Sequence, residues 1–228
     1  MTKESASKLF WNSVAAHDSA WYTATGFTAE SDEFFQTGSR DVDALLQLNG
    51  VRPPTDGTLL EIGSGVGRMT RAFSERSANV IAADISSAML DRAKSNLVGF
   101  DNVQFVELDG DGSIPLSTGS VDAVFSYITM QHVSSAAAQN RYLDEAIRVV
   151  RPGGWVVLQF RRTGVTARIL DLRANVGNFV RGRKTLSSSW RGARISESIL
   201  RGKRTGDVSI DVLRSDKRHV WAVAKRTR

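Results

Sequence analysis

Residues 59–68, Leu-Leu-Glu-Ile-Gly-Ser-Gly-Val-Gly-Arg, are an apolar run that stops at three alternating glycines and gives way to a helical pattern. A strand, a glycine turn and a helix in that order can cradle a ligand. Glycine permits positive φ and close backbone approach, and the helix start offers N–H groups. Such a turn suits a nucleotide-like cofactor, although it also serves where a strand and a helix merely pack closely. Asp84 follows Gly63 by 21 residues, at the end of the next apolar run. There a carboxylate can accept both hydroxyls of an adenosine ribose, or else cap the helix that begins at Ser87. Asp109-Gly110 ends a third run on the same edge, as a ligand contact or as a simple turn.

The glycine spacing separates two cofactors. A dinucleotide fingerprint, G-x-G-x-x-G/A, needs a small residue inside the helix, and Arg68 stands in that place. A pyrophosphate also disfavours a neighbouring carboxylate, yet Glu61 sits at the mouth of the turn. An acid there suits a cation, so the pattern favours S-adenosylmethionine, with its sulfonium and ammonium, over a dinucleotide. No metal site is expected, and the absence of cysteine excludes disulfides and thiolate ligands.

A ligand whose sulfonium activates a neighbouring carbon would react by in-line displacement, which needs positioning first and a base only if the nucleophile must lose a proton. The chain has three histidines. His132, just past the fourth apolar run, is the candidate base, with packing at the sheet edge as the alternative. His17 is placed in the region expected to cover the site, and His219 reads as structural.

These residues resemble the class I S-adenosylmethionine-dependent methyltransferases of the small-molecule type over roughly residues 59–160. Residues 60–67 match the family's first motif, 83–86 the second, 108–110 the third, 121–126 with 131–133 the fourth, and 148–154 the fifth. The resemblance implies a cofactor-binding set of Glu61, Gly63, Ser64, Gly65, Gly67, Asp84, Ile85, Asp109, Gly110 and Ser126. It puts Gly63 and Gly65 under the methionine part, Asp84 on the ribose and Asp109 at the adenine amino group. The turn after Asp109 is one residue longer than the family's, which makes Asp111 a rival. Trp21-Tyr22-Thr23 resembles the family's N-terminal segment that closes over the cofactor, which adds Tyr22; a hydrophobic staple is the competing reading.

The elements that must position these groups follow from periodicity. Apolar runs at 58–62, 79–84, 102–108, 121–128 and 154–160 alternate with helical patterns at 68–76, 87–97 and 136–150, the signature of parallel strands joined by crossover helices. Strands at 207–213 and 219–225 form a final hairpin. The expectation is an α/β, Rossmann-like, mostly parallel seven-stranded sheet with helices on both faces and a C-terminal antiparallel hairpin. Residues 1–50 form a helical cap, with Ser39 capping one helix and Gly50 ending it. Residues 51–228 form the methyltransferase domain, with a basic helical insert near 161–206 that includes a helix over 167–180.

At 228 residues, with 41% hydrophobic and 24% charged residues, the composition is globular, and no run approaches the length of a membrane span. The start lacks the apolar stretch of a secretory signal, so a cytoplasmic location is expected. The net charge of +6 divides into −8 over residues 1–150 and +14 over 151–228. A basic third suits an anionic or carrier-bound small acceptor. The alternative is an RNA methyltransferase that grips phosphates with it, but no N-P-P-Y-type tetrapeptide follows the fourth strand, where Ser126-Tyr127-Ile128-Thr129 stands instead. Neither the acceptor nor the oligomeric state is encoded in a motif.

Overall fold

The computed structural model describes residues 3–17, 27, 31–163, 192–203, 207–214 and 218–227. Seven strands, β1 (Thr58–Ile62), β2 (Asn79–Asp84), β3 (Val103–Glu107), β4 (Val121–Ser126), β5 (Val150–Arg161), β6 (Val208–Arg214) and β7 (His219–Arg226), form one sheet. Its order is β3-β2-β1-β4-β5-β7-β6. The first five strands are parallel, and β7 runs antiparallel to both β5 and β6, as the periodicity predicts. β1 has β2 on one side and β4 on the other, so the connections leaving these strands diverge and open a crevice at the carboxyl end of β1.

Described helices are α1 (Lys3–His17), α2 (Asp32–Leu48), α3 (Arg68–Ser74), α4 (Ser87–Asn96), α5 (Ala136–Val149) and α6 (Glu197–Gly202), with a 3-10 turn at Met130–His132. Successive side chains of a strand point to opposite faces, and here both faces are covered. Leu59 packs with Val42 and Leu46 of α2 and Met69 and Phe73 of α3. Its neighbour Leu60 belongs with Tyr142, Leu143 and Ala146 of α5. α1 joins a third cluster, where Val14 and Ala15 meet Phe34, Val66 and Met89.

Two local expectations are corrected. The helix expected to start at Ser39 starts at Asp32, where the Ser31 hydroxyl accepts from Phe34 N and two acids occupy the first turn. Gly38 lies inside it because α2 passes so close to α3 that a Cβ there would stand 2.2 Å from the Arg68 carbonyl oxygen. β5 begins at Val150, four residues before the expected start. Val150 pairs with Val121 and Trp155 with Ala123, and the strand bulges between the two pairs. The helix expected over 167–180 and the segment holding Tyr22 lie outside the described residues. Among the described residues no helix is long and apolar enough to cross a membrane.

Candidate active site

The carboxyl ends of β1 and β2, the loops after β3 and β4, and parts of α1, α3, α4 and α5 line a cavity of about 130 Å³. The glycine turn forms its floor. Gly63, Gly65 and Gly67 take φ of 81°, 55° and 88°, the left-handed region that the strand–turn–helix pattern calls for. The turn is bound to the end of β2: Gly63 N and Ser64 N both donate to the Ala83 carbonyl, at 2.7 and 3.1 Å, and Gly67 N donates to Ser64 O. Gly65 N donates to Asp84 Oδ2 at 2.9 Å. With those four N–H groups engaged, the turn is a poor cradle for a pyrophosphate.

Two carboxylates converge on this floor. Glu61 is 4% exposed, and Thr70 donates to its Oε2 at 2.6 Å. Burial pushes its carboxyl up to about 7, against the hydrogen bond from Thr70 and the charge of Arg68, which pull it down. Arg68 reaches away to Asp41, 2.7 Å distant. Asp84 is 9% exposed and accepts from Gly65 N and, through Oδ1, from Ser86 N. Burial raises its carboxyl too, and these N–H groups act in the opposite direction. The helix cap that competed for Asp84 is Ser86, whose hydroxyl accepts from Met89 N. Asp84 therefore ties the turn to β2 while still facing the cavity.

Glu61, Gly63, Ser64, Gly65, Asp84, Ile85, Gly110 and His132 all line the cavity. Three other expected residues are placed outside its walls. Gly67 shapes the turn. Ser126 is fully buried and donates to the Ile62 carbonyl at 2.8 Å, which joins β4 to β1. Asp109 is exposed, with its neighbours Leu108 and Gly110 in the wall instead. The rival Asp111 accepts from Ser113 N and pairs with Arg141 at 2.6 Å, outside the wall as well. Tyr22 lies outside the described residues.

The walls also contain residues that the sequence reading did not assign to the site. Trp11 of α1 meets the His132 ring edge-on at 5.2 Å. Tyr142, an ordinary apolar position of α5 in the sequence, turns a buried face to the cavity. Ile128 has φ of 59°, a left-handed conformation that a β-branched residue rarely adopts and that tends to mark functional sites. No sequence signal announces it.

Residues 60–158 match the methyltransferase-domain family. Over 179 residues, 74% of this chain and 67% of the other, the chain is 30% identical to malonyl-[acyl-carrier protein] O-methyltransferase of Pseudescherichia vulneris. The chain belongs to the class I S-adenosylmethionine-dependent methyltransferases. It is also 33% identical over 128 residues to the demethylmenaquinone methyltransferase of Clavibacter sepedonicus, covering 56% of this chain and 51% of that one. The chain spans about half the length of the first curated relatives it matches. The structure of Haemonchus contortus phosphoethanolamine N-methyltransferase 1 with phosphoethanolamine and S-adenosylhomocysteine covers 100% of this chain and 50% of its own. Its TM-score of 0.71 at 18% identity shows a shared fold.

The walls of this methyltransferase fit the family's cofactor. A sulfonium and an ammonium call for acceptors, and two buried carboxylates stand at the turn. The Ser64 hydroxyl is buried in the wall with no partner among the described residues, which leaves a polar atom for a ligand to satisfy. Ile85, Met89 and Leu108 supply apolar surface beside Asp84, as an adenosine ring needs.

Proposed function

We propose that this methyltransferase transfers the methyl group of S-adenosylmethionine to the O, N or C atom of a small-molecule acceptor. The observation that carries the reading is the pairing of two buried carboxylates with a glycine turn whose amides are already engaged. That arrangement answers hydroxyl and cationic donors rather than phosphates. Asp84 keeps acceptor capacity on the cavity side for the ribose hydroxyls, Glu61 attracts the methionine end, and Ser64, Ile85 and Gly110 complete the contact.

Bound there, S-adenosylmethionine supplies a methyl carbon that the acceptor atom attacks in line while the carbon–sulfur bond breaks and its electron pair stays on sulfur. The chain's contribution is to hold the acceptor close and aligned in a dry cavity, an effect worth up to about 7 to 11 kcal/mol. His132, in the wall, is the group that takes a proton from an acceptor that must lose one. α1 is the capping element: Ser7 and Trp11 close the cavity, and the Ser86 hydroxyl donates to Asn12 at 2.6 Å.

The acceptor is read as a small anionic or carrier-bound molecule. This is supported by the basic last third and by the relative named for a malonyl-carrier substrate. Calorimetric titration with S-adenosylmethionine, S-adenosylhomocysteine and NAD tests the cofactor. Binding of the first two without NAD is expected, and NAD binding alone would overturn the reading.

A further inference from the structure

Gln131 and His132 share the 3-10 turn after β4, and His219 opens β7. The Gln131 side chain spans the two rings. Its Nε2 lies 3.1 Å from Nε2 of His132, and its Oε1 lies 3.2 Å from Nε2 of His219. Both ends of this bridge are fixed. Gly192 N donates to the Gln131 carbonyl at 2.9 Å, and a Cβ at Gly192 would stand 2.3 Å from the Val133 carbonyl oxygen, so residue 192 lies tight against the turn. Trp11 abuts the His132 ring, and His219 is set by strand pairing opposite Arg161.

A side-chain amide accepts at one end and donates at the other, and a neutral imidazole does the same with its two nitrogens. Where the amide nitrogen faces His132, that ring must offer a lone pair at Nε2 and carry its proton on Nδ1. The amide oxygen then requires an N–H at Nε2 of His219. Half a turn of the amide reverses both requirements. In either orientation the two neutral rings hold opposite tautomers.

We propose that Gln131 is a positioning residue that couples the tautomers of His132 and His219. His132 presents the Nδ1 lone pair of a base only when the Gln131 oxygen faces it and His219 carries its proton on Nδ1. In that orientation protonation of the His132 ring gives an imidazolium that donates from Nε2 to the amide oxygen, a charge-assisted bond. The catalytic consequence rests on the methyl-transfer reading, whereas the tautomer coupling does not.

With three histidines in the chain, 15N-histidine labelling of the full-length protein resolves every ring, and His17→Gln assigns the third. Two-bond 1H–15N correlation at about pH 9, well above the usual imidazole pKa, reads the tautomers directly. Opposite tautomers at His132 and His219 are expected in the wild type. In Gln131→Glu the carboxylate accepts from both rings, and both are expected in the Nε2–H form. Identical tautomers in the wild type, or opposite ones persisting in Gln131→Glu, overturn the coupling. Loss of S-adenosylmethionine binding by the wild type would overturn the methyl-transfer reading while leaving the tautomer result standing.

Discussion

Glu61 gives the site a pH dependence whose sign follows from burial. Its carboxyl is raised from 4.5 to about 7, so the native state keeps a proton that the unfolded chain releases between those values. Its contribution to stability therefore falls as pH rises through that window and levels off above 7, by at most about 3 kcal/mol. Urea melts at pH 5 and pH 8 should show this loss in the wild type and lack it in Glu61→Gln. A cationic cofactor favours the ionised form, so S-adenosylmethionine affinity should rise between pH 6 and 8 in the wild type. Calorimetry on Glu61→Gln should show a flatter rise. Asp84→Asn replaces one of two acceptor oxygens with a donor, which then faces a backbone N–H of Gly65 or Ser86. It should weaken cofactor binding at least tenfold, about 1.4 kcal/mol, and unchanged affinity would move the ribose contact elsewhere. The places of Glu61 and Asp84 in the cavity wall were legible because each is an acid beside the glycine turn, at the carboxyl edge where open α/β sheets bind ligands. Asp109 and Ser126 have the same kind of address, but a one-residue difference in where a strand ends decides whether such a side chain lines the cavity, seals two strands together or faces solvent.

Between elements, the turn after β1 lies close against the loop after β4. A Cβ on Gly63 would lie 2.0 Å from the Thr129 hydroxyl oxygen, at a φ of 81°. Gly63→Ala should therefore incur about 1–2 kcal/mol for the left-handed backbone and a further steric cost. Thr129→Ala removes the hydroxyl and methyl groups at 2.0 and 2.3 Å but leaves its own Cβ 2.6 Å away, so it should return part of the steric cost, and a double-mutant cycle in urea should give a coupling of about 0.5–3 kcal/mol. Strict additivity would mean that the turn and the loop do not press on each other. The strands of this framework were readable from alternating apolar runs, and β1 and β2 fall within the limits the pattern sets. Contacts distant in sequence hid the rest. Gly38 resembles a helix breaker, yet it sits mid-helix because Arg68 needs the space. Pro152-Gly153-Gly154 resembles a stop, yet it lies within β5 because Val121 pairs back to Val150.

For the whole molecule, the charge split of −8 and +14 separates two kinds of binding that salt can tell apart. The carboxylates assigned to the cofactor are buried, and buried charges are screened little, so S-adenosylmethionine affinity should change only slightly between 50 and 300 mM salt. The basic last third has the opposite character. Unmodified tRNA, used as a polyanion probe, should bind through it with an affinity that falls steeply along a log–log salt plot, because each neutralised phosphate releases a counterion. Binding of that kind carries no sequence or chemical selection, so it should not lead to reaction. Tritiated methyl groups should fail to enter tRNA at the low salt where it binds best, and stoichiometric incorporation would replace the small-molecule reading with the nucleic-acid one. The comparison is informative because both ligands meet the same chain under the same conditions. A salt-insensitive cofactor beside a salt-sensitive, unreactive polyanion is the outcome expected if, as proposed, the buried acids hold the cofactor and the basic third draws an anionic acceptor in.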